Sequence, residues 1–307
     1  MAYNIYTSDN FLADFRRIFD QDVQPRMLEF DNERLSKIRL GVFLSILLLL
    51  LGIKIPLFVP LILIILYWLV TIYLYEFQSN RYIPVLVRLI PFFSYYNISV
   101  LALEDLTYSR LFPKTLSSNS LLSFHFFDSF SGEINRVHVD VSKFIYSYLQ
   151  RSSALCVFSG SVIRLRTKTY AQGITVLRPR YSKYYNISDL VNDDFQKVNV
   201  KDLVFASQYA IYSNNVQEAE TLLSEKFIKS FTSFVKTAKA PIAYCAFCGN
   251  YMYIALTIDS GFTFSNIFKS LKDDSAYEQI YNTFHSIIDL VNELYVIEDN
   301  KPNNSPS

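Results

Sequence analysis

Two stretches, LGVFLSILLLLLGI (residues 40–53) and LFVPLILIILYWLVTIYLY (residues 57–75), joined through Lys54-Ile55-Pro56, decide how this chain is first read. Between Arg39 and Glu76 the only charge is Lys54. The second stretch holds nineteen uncharged residues. At about 1.5 Å rise per residue it gives roughly 28 Å of helix, close to the ~30 Å hydrocarbon thickness of a bilayer. The first stretch holds fourteen, a length that also suits a buried core helix, a re-entrant segment or the core of a signal peptide. Ser36 to Arg39 can lengthen it, Lys54 can snorkel, and Tyr67, Trp68, Tyr73 and Tyr75 supply interfacial aromatics for its partner. The sequence therefore predicts a two-span transmembrane helical hairpin over residues 38–76. A cleaved signal peptide is not expected, because the apolar run starts about forty residues in and a second apolar run follows at once.

Arg26, Arg34, Lys37 and Arg39 precede the hairpin and Arg81 and Arg88 follow it, against Lys54 alone in the turn. That bias places both termini and the main domain in the cytoplasm, with a multi-pass membrane localisation as the expectation. Three cysteines, Cys156, Cys245 and Cys248, suit a reducing compartment better than a disulfide framework. A composition of 51% hydrophobic and 16% aromatic residues leaves ample material for a core outside the hairpin, and a net charge of +1 gives no bulk attraction to nucleic acid.

Around the hairpin the periodicity sorts the chain into further segments. Phe11, Phe15, Ile18, Phe19 and Val23, then Met27, Phe30 and Leu35, suit an amphipathic N-terminal helical segment over residues 1–37, split near Pro25. Residues 77–298 read as a cytoplasmic α+β domain, and residues 299–307 as a disordered tail. Val137, Val139 and Val141 alternate with His138 and Asp140 as a half-buried strand, with Ser129-Phe-Ser-Gly132 as the turn before it. A second strand pair, Leu155 to Leu165 and Ile174 to Leu177, is joined through Thr169 to Gly173. A third pair, Ala243 to Cys248 and Tyr251 to Ile258, flanks the hairpin signal Gly249-Asn250. Val216 to Val235 and Tyr277 to Leu294 hold helical spacing. Strands then helices without strict alternation give an antiparallel sheet with packed helices.

The run Asp193-Asp194-Phe195, then Phe205, Ile211-Tyr212-Ser213-Asn214-Asn215-Val216-Gln217-Glu218-Ala219, Leu222-Leu223-Ser224 and Phe227, resembles the C-terminal signature of a bacterial membrane family, domain of unknown function 3137. That family carries a block like FxVYSxDxVEARYLLTP before a helix and an LYIAI-like strand, here Met252-Tyr-Ile-Ala-Leu256. Phe158-Ser-Gly160 sits where the family has an FxG block, and Phe127-Asp-Ser-Phe-Ser-Gly132 where it has an acidic turn ending in Gly. Gln208-Tyr-Ala before Ile211 and Ser224-Glu225 in place of Thr-Pro depart from the pattern. The resemblance covers most of residues 30 to 295. It implies a membrane-anchored protein with a cytoplasmic domain and no established activity, and it carries over no catalytic residue.

The seven glycines are never closer than eleven residues apart, so neither a P-loop nor a dinucleotide fingerprint can form, and there is no Gly-x-Ser-x-Gly elbow. Cys245 and Cys248 lie three apart in a strand, which puts Cys245 with Ala243, Phe247, Met252 and Ile254 and turns Cys248 the other way. A shared tetrahedral metal is therefore not expected, nor any cofactor. His138 and Asp140 share a strand face and could orient an imidazole for base catalysis, but without a visible nucleophile they read as a hydrated polar face. Between Arg151 and Ser188 there are seven basic residues and no acid, with Tyr170, Tyr181, Tyr184 and Tyr185 interleaved. From these, Arg164, Arg166, Lys168, Arg178, Arg180 and Lys183 form the candidate site for anionic lipid headgroups, with an acidic partner such as another membrane protein, or nucleic acid, as alternatives and a solvated face as the bland reading. With that resemblance, the functional expectation is binding or scaffolding at the cytoplasmic face of the bacterial inner membrane; the alternatives are a membrane-bound enzyme with an unrecognised site or an accessory transporter subunit.

Overall fold

The computed structural model describes residues 5–51, 58–78, 83–96, 99–112, 121–150, 153–181, 188–191, 193–258, 270–271 and 274–296. The expected turn at Gly52 to Pro56 and the tail at 299–307 lie outside them. The chain divides into two compact units, one of Met1–Phe11, Phe92–Ser260 and Tyr281–Ser307, the other of Leu12–Pro91 and Gly261–Ile280.

The second unit is helical. Helix α1 (Ser8–Ile18) runs through a π-helical turn (Phe19–Val23) into α2 (Gln24–Leu51), and α3 (Phe58–Gln78), α4 (Ile83–Leu86) and a 3-10 turn (Val87–Leu89) follow. Pro25 sits in the first turn of α2, where its missing N–H costs no intrahelical bond. The first half of α2 is amphipathic: Met27 is buried, as is Val23 just before the helix, and so is Asp31, which accepts from Arg34 Nε at 2.9 Å and from the Leu271 backbone N–H at 3.0 Å. Further along, α2 and α3 pack through small and polar groups. A Cβ at Gly41 would lie 2.7 Å from the Tyr67 ring, and Trp68 Nε1 donates to Ser45 Oγ at 3.3 Å.

The helix boundaries overturn the transmembrane hairpin. Among the described residues, no helix is long and apolar enough to cross a membrane. Helix α2 begins at Gln24 and carries Arg26, Glu29, Asp31, Glu33, Arg34, Lys37 and Arg39 before its uncharged end, Leu40 to Leu51, which rises only about 18 Å. The two-span, multi-pass and inner-membrane expectations are withdrawn with it, including the placement of both termini and the main domain in the cytoplasm.

The first unit is the α+β part, with an antiparallel sheet. Its strands are β1 (Phe93–Tyr96), β2 (Leu121–Ile134), β3 (Val137–Gln150), β4 (Ser153–Pro179), β5 (Gln196–Lys197), β6 (Tyr209–Ser213) and β7 (Ala243–Leu256). Its helices are α5 (Leu103–Tyr108), α6 (Ser188–Val191), α7 (Leu203–Gln208), α8 (Val216–Leu222), α9 (Glu225–Thr237) and the C-terminal part of α10 (Asp274–Val291). Strand β4 is the spine: β3 and β6 flank successive lengths of one side, β7 runs along the other, and β2, β1 and β5 extend outward.

Three local readings are corrected by this sheet. Ser129 to Gly132 lie inside β2, and the β2–β3 turn is Asn135-Arg136, both at positive φ (49° and 68°), as a two-residue primed turn requires. Thr169 to Gly173 do not join two strands; they are an irregularity within β4, whose register shifts between Arg166, Ala171 and Ile174. Gly249-Asn250 is not a hairpin turn either. Strand β7 runs straight through it, with Gly249 at φ +59° opposite Ala171, so both strands break register at one level and bend together. The expected helix Val216 to Val235 is two, because Ser224 caps α9 by accepting from the Phe227 N–H at 3.3 Å.

Both sheet faces are buried. One holds Phe144, Tyr146, Phe158, Val162, Val176, Tyr244, Cys248 and Tyr253 under Leu106, Phe112, Leu190 and Phe195. The other meets α9 and α10, as in Phe227 on Phe247 (5.1 Å between ring centroids) and Phe130 on Phe284 (5.9 Å).

Candidate functional site

Strand alternation sets His138, Asp140, Phe144 and, across the ladder, Arg164 and Tyr253 on one face. Asp140 is 1% exposed. Its Oδ2 accepts from Arg164 Nε at 2.9 Å and Nη2 at 2.8 Å, and its Oδ1 lies 3.2 Å from His138 Nε2. The remaining guanidinium nitrogen, Nη1, donates to Asp105 Oδ2 of α5 at 2.9 Å, and the Arg164 plane sits 4.9 Å over the Tyr251 ring. Burial pulls the Arg164 pKa down, but the hydrogen bond and charge of Asp140 outweigh it and the net shift is upward. Burial and the Asp105 carboxylate push the neighbouring Tyr253 phenol up. They also push the Cys248 thiol up to about 11.

This geometry suits fastening rather than catalysis. Both Asp140 oxygens are already engaged, Oδ2 by Arg164 and Oδ1 beside His138, and Cys248 is a thiol at neutral pH rather than a nucleophilic thiolate. The polar face is hydrated only in part: Asp140 is buried in an ionic tie through Arg164 to Asp105 of α5, while the His138 side chain stays 43% exposed. Cys245 lies on the opposite face, wholly buried, its pKa raised by burial. Among the described residues no cluster of three metal-ligating side chains occurs.

The basic candidates do not meet as one surface. Arg164 is engaged as above, and Arg178 is 1% exposed and donates to the Arg110 carbonyl at 3.0 Å. Arg166, Lys168 and Arg180 are exposed; Lys168 Nζ donates to the Tyr295 carbonyl at 2.6 Å and Arg180 Nε to the carbonyls of Ala206 and Tyr209 at 3.0 and 3.2 Å. Lys183 lies outside the described residues.

The family-like blocks resolve into packing. Glu218 accepts from the backbone N–H groups of Gln172 and Gly173, Asn214 Oδ1 accepts from Ile174 N–H at 2.7 Å, and Asn215 caps α8. A Cβ at Gly160 would overlap the Leu256 carbonyl of the LYIAI-like strand, and one at Gly132 the Phe92 carbonyl. Asp193 pairs with Arg110 at 2.6 Å, and Phe195 enters the core. Sequence reasoning missed Asp105, Arg110 and the structural role of Glu218; a lone acid gives no local signal of a partner dozens of residues away.

No curated protein sequence matches this chain. Among solved structures, the crystal structure of the mycobacterial trehalose monomycolate transport factor A, TtfA, aligns at 14% identity and a TM-score of 0.34, covering 71% of this chain and 96% of that one. A likeness of that size carries no argument about this chain. The family model described as protein of unknown function (DUF3137) matches residues 156–295, the stretch that holds the FxG block, the Glu218 block and the LYIAI-like strand. Over those residues the chain is similar to the DUF3137 family.

Proposed function

We propose that this chain is a binding or scaffolding protein that docks onto an apolar helical segment of another protein through the outward faces of α2 and α3. One observation carries the reading. Leu40, Phe43, Ile46, Leu50, Ile62, Leu66 and Leu69 are all more than half exposed or close to it, while the small and polar groups of the helix pair, Gly41 and Ser45, face inward onto Tyr67 and Trp68. Water does not tolerate so long an apolar face, and apolar patches beyond a few hundred Å² mark interaction surfaces. No charge lies on α2 from Leu40 or on the described side chains of α3, so the occupant must be apolar over a similar length. The paired-off Asp140 and Arg164 favour binding over an enzymatic reading.

Photo-crosslinking in cells tests this. A benzophenone side chain at position 43 or 66 should form adducts mapping to one apolar helical segment of a protein, and the same probe at position 67 should not. Adducts to lipid alone, no adducts, or a second copy of this chain as the sole product would overturn it.

A further inference from the structure

Strand β5 ends the sheet, with β6 as its neighbour on one side. Val198 N–H donates to the Ile211 carbonyl at 2.9 Å, so the backbone groups of Val198 point at β6. By alternation along the strand, those of Lys197 and Asn199 point away from it. Among the described residues no backbone group meets them there. Their N–H and C=O groups form two free rungs about 7 Å apart, the template on which a further strand can be added.

Past this edge Asn199 joins the lining of a cavity of about 740 Å³ that also takes in Lys201, Asp202, Glu220, Glu225 and Ile228. Its lining sets three carboxylates against one ammonium group. Helix starts account for part of the imbalance: Asp202 caps α7 by accepting from the Phe205 N–H at 2.9 Å, and Glu225 opens α9. Each N-terminus supplies only about half a positive charge, so the two together offset roughly one carboxylate. Glu220 serves no helix start. It lies in the last turn of α8, at the negative end of that dipole, and pairs with no cation among the described residues. The cavity therefore keeps negative charge for which the fold has no use. Next along the chain, Leu203 and Val204 are 81% and 68% exposed, Leu203 more than any other large apolar side chain among the described residues.

We propose that β5 is a docking edge for an extended, basic segment of another protein. The segment adds as a strand beside Lys197 and Asn199, sets its cationic side chains over Asp202, Glu220 and Glu225, and covers Leu203 and Val204 with an apolar one. Lys197 fixes the register, because a cation directly opposite it is repelled and the partner's basic residues fall toward the cavity. This edge is separate from the apolar faces of α2 and α3, and the proposal stands whether or not they dock.

The test pans the full chain, held in a non-ionic detergent that covers α2 and α3, with a random dodecapeptide library, then titrates the most enriched peptides by fluorescence anisotropy. They should carry a net positive charge, bind at one site per chain and weaken as salt rises. Asn199→Pro removes an outward N–H that the fold does not use, and an edge strand tolerates proline, so the melting temperature should hold while affinity falls about tenfold. The double variant Glu220→Gln, Glu225→Gln should weaken binding to a similar degree without unfolding, because both side chains are exposed. No enriched peptide, enriched peptides that are apolar or acidic, or undiminished binding by either variant overturns the proposal. So does a wild-type dimer that Asn199→Pro dissociates in analytical ultracentrifugation, which would make a second copy of this chain the occupant.

Discussion

The carboxylate of Glu218 accepts the backbone N–H of Gly173 at 2.7 Å, and its second oxygen that of Gln172 at 2.8 Å, so a residue in the first turn of α8 holds the irregular bend of β4. Those N–H groups face no neighbouring strand at the register break, and a buried or half-buried donor must find some acceptor. In this chain the family-like block around Glu218 is thus a latch on the central strand.

Breaking that latch should destabilise the fold. Glu218→Ala removes two charge-assisted hydrogen bonds and should cost about 1–3 kcal/mol in denaturant unfolding. Gly173→Ala should cost a similar amount, since its Cβ would lie 2.6 Å from Asn215 Cβ and 2.8 Å from Asn214 Oδ1. Unfolding midpoints within error of wild type for both would remove the structural role of the block.

Gly160→Ala offers a harder steric test, because its clash is with the Leu256 backbone carbonyl rather than a side chain that can swing away. The expected loss is about 2 kcal/mol or more, read as a lowered melting temperature. A melting temperature equal to wild type would mean that β4 and β7 sit further apart than the structure places them.

The Asp140–Arg164 pair should show strong non-additivity. Asp140→Asn or Arg164→Met alone leaves one buried charge facing too few partners and should cost about 3 kcal/mol or more. The double variant should cost much less than the sum of the two, since Met fills the space without a charge to compensate. A double-mutant cycle with a coupling energy near zero would contradict the buried tie.

Alkaline pH should weaken the fold through the cysteines. In the unfolded chain these thiols titrate near 9.0, whereas folding raises Cys248 to about 11 and raises Cys245 as well. Between pH 9 and 11 the unfolded state has therefore lost protons that the native state keeps, so stability is fully present below pH 9 and declines as pH rises through that window. Tyr209, Tyr253 and Tyr295, all raised from 10.0 by burial, steepen the decline above pH 10. Denaturant unfolding across pH 8 to 10 should show a shallower slope for Cys245→Ala, Cys248→Ala than for wild type; an identical slope would place the thiols in water.

Local pattern determined much of the first unit. The alternation of Val137, Val139 and Val141 gave β3 and its buried side, and the opposite facing of Cys245 and Cys248 followed from the two-residue period of a strand. The spacing through Tyr277, Phe284, Ile288 and Val291 likewise gave α10, and short motifs pointed to the family whose model matches residues 156–295. These properties depend on neighbours within a few positions. Others depend on partners far along the chain. Glycine at 249 has the same sequence signature in a hairpin and in a bulge, and only the pairing of β7 with β4 on both sides of it chooses the bulge. The charge on Arg164 is read locally as a free basic surface, yet it is taken up by Asp105, 59 residues earlier, and Asp140, 24 residues earlier. The apolar tract from Leu40 to Tyr75 met a length criterion as a string of letters, but where each helix starts and which charges it carries are set by packing, as when Asp31 and Arg34 are drawn into the buried base of α2. Hydropathy sums a window of side chains; tertiary structure decides which backbone segments share a helix and which distant charges cancel.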